Sequence, residues 1–403
     1  MSRVLILTET YCPEVGGGET QARALAEGLA RTGVQVCLLT RRSQRDSPSR
    51  ESIGGVDVQR RGPSGRGQRK KWMLLATLLP ALTRRLAGCD AVIVCGYRIL
   101  GLVVVPLCRL FRVPCILKAD SQGEHSGAFF HRGLEKLAAS PEGRLFRTAL
   151  QLRNRVLARA DRFVAISSTV ATELTQHGIP ERRILRIPNG VDIACFKPAA
   201  DDERDALRQQ LNLPEKARIV VYTGRLVRYK GLMGLVDAWP AIQSHHADAH
   251  LVLVGYGGLD VDACESELRE RVETLGLDAS IHFTGAVDSV TDHLRAADVF
   301  AFPSRNEAFG LAAVEAMATG LAVVSTHCGG LRDIVRHEET GLVVEPTPDS
   351  LRDAINRLLA DAPLRRRLGA AGRHDVVERF SIDAVVERYA SAIASLRSSR
   401  DQR

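Results

Sequence analysis

Two glutamates eight positions apart, Glu307 and Glu315, carry the strongest chemical signal in the chain. They lie in Asn306-Glu307-Ala308-Phe309-Gly310-Leu311 and Glu315-Ala316-Met317-Ala318-Thr319-Gly320. Leu311 to Ala318 consists of good helix formers and Gly320 ends the run, so a helix is expected to start at Phe309-Gly310. Glu307 then sits on the loop before the helix and Glu315 inside it. The first helical amides, with their partial positive charge, point between them. Two acceptors flanking an anion site suit a ligand that bears both phosphate and sugar hydroxyls. The same residues also fit a solvated acidic loop followed by a surface helix.

Cations and glycines recur in comparable places. Gly224-Arg225-Leu226-Val227-Arg228-Tyr229-Lys230-Gly231 sets Arg225 and Lys230 across a turn, where a planar fork and a point charge could together hold a diphosphate. Tyr11-Cys12-Pro13-Glu14-Val15-Gly16-Gly17-Gly18-Glu19 places three adjacent glycines before a helix, and their amides can approach a phosphate or sugar closely. This turn lacks the spaced glycines of a dinucleotide fingerprint. Val254-Gly255-Tyr256-Gly257-Gly258 is another close-approach turn. Asp260-Val261-Asp262 has the form of an aspartate pair that holds a divalent metal, but it precedes Cys264–Leu275, which reads as a surface helix. Capping chemistry explains it better, and no metal site is expected.

These loops need a scaffold, and the sequence alternates short β-rich runs with helical stretches throughout. Candidate strands are Val4–Leu7, Val34–Leu39, Ala91–Cys95, Cys115–Lys118, Arg162–Ile166 and Ile184–Ile187. A second series comprises Ile219–Thr223, Leu251–Val254, Ile281–Thr284, Val299–Phe302 and Ala322–Ser325. Continuous apolar strands separated by helices imply parallel sheets covered on both faces. Two series imply an α/β protein of two doubly wound domains, with a boundary near Pro188 to Pro198 and a helix over the charged stretch Asp201–Arg208. Each chemically interesting loop follows a strand, the end at which open parallel sheets bind ligands.

The chain has 403 residues, 45% of them hydrophobic and 25% charged, as expected of two globular domains. Met1-Ser2-Arg3 runs directly into an apolar strand, so no signal peptide is expected. The longest apolar stretch, Ile99 to Cys108, is about half of what a bilayer span needs. Nine scattered cysteines without a Cys-x-x-Cys pair read as reduced thiols in a cytoplasmic protein. The formal charge is +8, and Arg60, Arg61, Arg66, Arg69, Lys70, Lys71, Arg84 and Arg85 account for eight positive charges without an intervening acid. Trp72, Leu75, Leu79, Leu82 and Leu86 recur among them at helical spacing. That stretch reads as a helix packed on a sheet with a solvated outer face, or alternatively as a peripheral dock on an anionic membrane. Nucleic acid is not an expected partner, since aromatics are 5% and none interleaves with the arginines.

Taken in order, Tyr11-x-Pro13, Gly17-Gly18, Pro188-Asn189-Gly190-Val191-Asp192, Phe196-x-Pro198, Gly224-Arg225-Leu226, Lys230-Gly231 and Leu253-Val254-Gly255 resemble one family. Gly285, Ala297-Asp298, Pro303-Ser304, Glu307, Glu315 and Gly329-Gly330 complete the series. The chain resembles the retaining glycosyltransferases of family 4, from about residue 4 to about residue 390. The resemblance implies the GT-B fold: two Rossmann-like domains facing a central cleft, with a last helix after Phe380-Ser381 that crosses back onto the first. The implied boundaries are 1–195 for an acceptor domain, 196–378 for a nucleotide-sugar domain and 379–403 for the crossover helix.

It further implies that Arg225 and Lys230 hold the donor diphosphate and that Glu307 accepts from sugar hydroxyls. The amides of Phe309, Gly310 and Leu311 would lie near sugar and phosphate, Glu315 on the ribose, and Gly17-Gly18 at the phosphate side. The implied activity moves a hexose from a UDP- or GDP-sugar to a hydroxyl of a sugar or lipid-linked acceptor, without metal or other cofactor, in cell-envelope polysaccharide or glycolipid assembly. The implied location is the cytoplasm, alternatively the inner face of the cell membrane as a peripheral protein. A sugar-nucleotide epimerase and an inert sugar-nucleotide-binding protein are the alternatives. The chain departs from the family in one place: Asp120 stands about where members often carry an active-site histidine, and His125 follows five residues later.

Overall fold

The first strand, β1 (Arg3–Leu7), is buried from its second residue onward, as a run of Val, Leu and Ile must be when both faces of a parallel sheet are covered. The computed structural model describes residues 2–14, 16–62, 64, 68–130, 143–258 and 260–401. The chain forms two units, Met1–Gly190 with Ile382–Arg403, and Val191–Ser381.

In the first unit, β1 is followed by α1 (Gly17–Arg31), β2 (Gln35–Arg41), β3 (Arg50–Ile53), β4 (Val56–Arg61) and α2 (Gln68–Leu86). Then come β5 (Ala91–Cys95), α3 (Tyr97–Leu110), β6 (Cys115–Lys118), α4 (Arg144–Leu157), β7 (Arg162–Ala165), α5 (Ser168–Gln176) and β8 (Ile184–Arg186). Among the described residues they form one sheet ordered β3-β4-β2-β1-β5-β6-β7-β8, parallel apart from the antiparallel β3–β4 pair. The winding direction reverses between β1 and β5.

The second unit runs α6 (Asp201–Gln210), β9 (Arg218–Thr223), α7 (Leu232–His245), β10 (Ala249–Val254), α8 (Glu265–Thr274), β11 (Ile281–Gly285) and α9 (Val290–Ala296). It continues through β12 (Val299–Phe302), α10 (Leu311–Ala318), β13 (Ala322–Thr326), β14 (Leu342–Val344), α11 (Pro348–Ala360) and α12 (Ala362–Arg379). Its sheet is ordered β11-β10-β9-β12-β13-β14, and the reversal falls between β9 and β12.

The chain then returns to the first unit as α13 (Ile382–Asp401). Ile382, Val385, Val386, Tyr389, Ile393 and Leu396 join one buried cluster with Val4, Ile6, Val36, Leu38 and the inner face of α1. Gly28 makes the approach of α1 and α13 possible, because a Cβ there would lie 2.4 Å from Val386 Cγ2. Gln21 on α1 exchanges two 2.8 Å hydrogen bonds with the backbone of Gly190 and so ties down the last residue before the second unit.

The basic stretch 60–85 is not one helix. Arg60 and Arg61 belong to β4, where Arg60 is buried, pairs with Glu51 and donates to the carbonyl of Cys12 at 2.7 Å. Arg60 is therefore unavailable to a membrane, which corrects that part of the expectation. Burial of its charge without a partner would be costly. Arg85 is committed to Asp57 at 2.9 Å. Arg66 and the side chains of Arg69, Lys70, Lys71, Trp72 and Leu75 lie outside the described residues. Among the described residues no helix is long and apolar enough to cross a membrane.

Candidate active site

At a reversal of winding order, the loops leaving the carboxyl ends of two neighbouring strands diverge and leave a crevice. In the second unit those loops are Gly224–Gly231 after β9 and Pro303–Gly310 after β12. They are held together at backbone distance. Gly231 has φ +72°, and a Cβ on it would lie 2.1 Å from the Pro303 carbonyl oxygen. The Arg305 amide donates to the Tyr229 carbonyl at 2.8 Å. A glycine is required at 231 on both counts.

This arrangement brings Lys230 and Glu307 into an ion pair, with side chains only 12% and 15% exposed. The Lys230 ammonium also lies 5.0 Å from the centre of the Phe302 ring and 5.7 Å from that of Tyr229, within cation–π range. A charge this poorly hydrated depends on Glu307 and the rings for its stabilisation. From the other side, the Glu307 carbonyl accepts the Gly330 amide at 2.9 Å. Gly329, with φ +46°, lets that turn approach: a Cβ would fall 1.8 Å from the Glu307 carbonyl oxygen.

Helix α10 opens immediately beyond. Gly310 has φ +115° and no side chain caps the helix, while Phe309 is buried against Phe380 with ring centres 6.0 Å apart. The helix start therefore falls where the sequence places it, a few residues after Glu307 in the chain. Glu315 is one turn into the helix and half-buried; desolvation pushes its carboxyl up to about 8. It carries a proton at neutral pH until something stabilises the anion.

Arg225 is more open. It pairs with Asp260 and donates to the Tyr229 hydroxyl at 2.5 Å. Its carbonyl accepts from the buried Tyr222 hydroxyl at 2.9 Å. Asp260 also accepts the Asp262 amide at 3.1 Å, a turn within the loop; among the described residues no side chain caps α8, so the capping expected of the aspartate pair is not made, and Asp260 holds Arg225 as well. That second role, and the place of Tyr229 between the two cations, were missed. Asp260 is 35 residues from Arg225 and nothing local marks the contact. Tyr229, one residue before Lys230, was there to be read.

In the first unit the glycine turn and Asp120 meet at the β1/β5 reversal. A Cβ on Gly18 would lie 3.6 Å from the nearer Asp120 carboxylate oxygen, and one on Gly96, after β5, 3.0 Å from it. Gly17 has open space around it. Asp120 accepts from the buried Lys118 ammonium at 2.6 Å. Burial works against the Lys118 charge, but Asp120 and its neighbours outweigh it and keep that ammonium more strongly protonated than usual. Glu124 accepts the Asp120 amide at 3.2 Å, and burial raises its carboxyl to about 7. His125 points into the core instead. It is 1% exposed, its ring stands edge-on to Phe163 at 5.7 Å, and burial and then Arg153 lower its pKa to about 4.

Comparison with known proteins agrees with this architecture. Residues 15–194 match Glycosyltransferase Family 4, and residues 203–375 match Glycosyl transferases group 1. D-inositol 3-phosphate glycosyltransferase of Salinispora arenicola is 31% identical over 409 residues, which cover 95% of this chain and 88% of the relative. The structure of sucrose-phosphate synthase from Thermosynechococcus elongatus superposes with a TM-score of 0.81 at 28% identity, covering 99% of this chain and 100% of that one. The Anabaena protein HepE, solved with UDP-glucose, shares the fold with a TM-score of 0.76 at 20% identity, over 98% and 100% of the two chains. The chain belongs to the family 4, group 1 glycosyltransferases and has the GT-B fold.

Proposed function

We propose that this glycosyltransferase moves a hexose, with retention of anomeric configuration, from a UDP- or GDP-sugar to a hydroxyl acceptor. The observation that carries the reading is the Lys230–Glu307 pair at the β9/β12 reversal, followed directly by the uncapped start of α10. Lys230 and Arg225 supply positive charge where a leaving diphosphate needs it, and preorganised charges in a partly dry crevice act strongly. Glu307 accepts from hydroxyls of the donor sugar, Glu315 from those of the ribose, and the amides of Phe309, Gly310 and Leu311 face sugar and phosphate.

In the reaction, the bond between the anomeric carbon and the phosphate oxygen breaks. The acceptor oxygen bonds to the same face of that carbon, and its proton passes to the departing phosphate. No protein base is needed for this step. The first unit takes the acceptor, with Asp120, which accepts from the Lys118 ammonium, beside Gly18 and Gly96. Leaving-group charge rests on the two cations, so no metal is assigned a step. The acceptor is a sugar or lipid-linked hydroxyl of cell-envelope assembly. Relatives named for inositol phosphate and sucrose phosphate make phosphorylated polyols a sensible part of an acceptor screen.

The test is transfer by wild type and Lys230→Ala with UDP- and GDP-hexoses, following product configuration by NMR, with and without EDTA. The reading expects retained configuration, indifference to EDTA and loss of turnover in the variant. Inverted product, EDTA-sensitive turnover or an active Lys230→Ala enzyme would each overturn a named part of it.

A further inference from the structure

A concavity of about 850 Å³ lies in the first unit, at the end of the sheet opposite Gly18, Gly96 and Asp120. Arg3 at the start of β1, Arg50 and Asp57 on the β3–β4 pair, and Arg84 and Arg85 at the end of α2 line it. Strands of this length separate it from the Asp120 loops by roughly 16 Å, so it is not part of the crevice described above.

The charges lining it do not balance. Among the described residues four arginines face two carboxylates, and one of these, Glu51, is already engaged by Arg60. Asp57 is saturated with donors: Arg50 at 2.8 and 3.2 Å, Arg85 at 2.9 Å and Gln59 at 3.0 Å. Burial opposes its charge, yet those bonds hold its carboxyl below the usual range. It acts as a fixed strut that orients two guanidinium groups. Arg3 and Arg84 are exposed and have no ion-pair partner among the described residues. Exposed arginines are ordinary. Here four of them, from three separate elements, converge on a hollow whose size is typical of small-molecule sites.

We infer that this hollow is a second binding site, for a phosphate-bearing anion. Arg3 and Arg84 grip the phosphate oxygens as planar forks, and Arg50 and Arg85, held by Asp57, supply the fixed charge. A soluble organic phosphate and the headgroup of an acidic phospholipid share this chemistry. Occupancy does not depend on the donor assignment in the second unit.

The test is calorimetric titration of inorganic pyrophosphate into the full chain, with R3A/R84A and K230A as comparisons, together with flotation on phosphatidylcholine vesicles with and without phosphatidic acid. The two arginines are exposed and have no ion-pair partner among the described residues, so R3A/R84A should keep the wild-type melting temperature and basal transfer rate. Wild type is expected to show a pyrophosphate site that survives K230A and weakens at least tenfold in R3A/R84A; this identifies a soluble ligand. Loss of flotation on phosphatidic acid vesicles in R3A/R84A, with no such pyrophosphate site, identifies the headgroup. If R3A/R84A matches wild type in both assays, or wild type binds neither probe outside a Lys230-dependent site, the inference is wrong. A loss confined to K230A is that refuting result, with the pyrophosphate bound at the donor site instead.

Discussion

Lys230 and Glu307 are each other's counter-ion, and this changes what their removal should do. On the proposed assignment Lys230→Ala removes charge stabilisation of the leaving group, which typically costs about 10²–10³ in kcat. It also leaves a mostly buried carboxylate unpaired. Breaking a fully buried pair costs about 3–5 kcal/mol, so this half-buried one should cost roughly 2. The check is a denaturation cycle of Lys230→Ala, Glu307→Ala and the double variant. The double variant should be less destabilised than the two single effects added, while all three are slowed by at least about 10² in kcat. Strict additivity would mean that the pair contributes nothing to the fold.

Glu315 gives a pH signature. Its carboxyl ordinarily titrates at 4.5 and in the folded chain at about 8. Between those values the unfolded chain is ionised there while the folded chain keeps the proton, so stability falls as pH rises through the window and levels off above it. The melting-temperature gain of Glu315→Gln over wild type should therefore grow from pH 5 to pH 8. If Glu315 binds the ribose as proposed, hydroxyls donating to the carboxylate favour its ionised form, so nucleotide affinity should rise with pH toward about 8, with proton release. Calorimetry in buffers of different ionisation enthalpy measures that release. Its persistence in Glu315→Gln would assign the proton to another group.

At the scale of elements, most of the scaffold was readable because parallel strands in a covered sheet are unbroken apolar runs. Ala91–Cys95, Cys115–Lys118 and Val299–Phe302 fall where the sequence places them, and α10 begins at Leu311 after Gly310 as its turn chemistry requires. The β3–β4 hairpin was not read, because Val56-Asp57-Val58-Gln59-Arg60-Arg61 is half polar and its signal is the two-residue turn Gly54-Gly55, both at positive φ. In the site, residue types gave Arg225, Lys230, Glu307 and Glu315. The long-range contact of Asp260 with Arg225 exists only after folding. The loops themselves depend on glycine. Gly231→Ala puts a methyl group against the Pro303 carbonyl at a strained φ, so it should separate the two loops and misplace Lys230. Donor binding should weaken at least tenfold with a melting shift of only a few degrees. Thermal melts with and without nucleotide would show it, and an unchanged ligand-induced shift would exclude that role for the turn.

For the whole molecule, the informative fact is that the chain leaves the first unit at Gly190 and re-enters it at Ile382. The last helix is part of the first unit's core: six of its apolar side chains are buried with β1, β2 and α1, although about 190 residues of the other unit intervene in sequence. Burying six such side chains is worth on the order of 10 kcal/mol before ordering costs, comparable to the stability of a domain. The first unit should therefore not fold without it. Gly28→Val tests the contact with a single change, because the added side chain meets Val386 where even a Cβ would be 2.4 Å away. Overpacking of this kind costs about 1–3 kcal/mol or more. The pairing Gly28→Val with Val386→Ala restores space and should recover part of the loss. Hydrogen exchange resolved by peptide is the right measurement: protection should fall in β1, β2, α1 and α13 while β9, β10 and β12 keep theirs. Equal loss of protection in both groups of strands would show that the two units unfold together, and that α13 stabilises more than the unit whose core it completes.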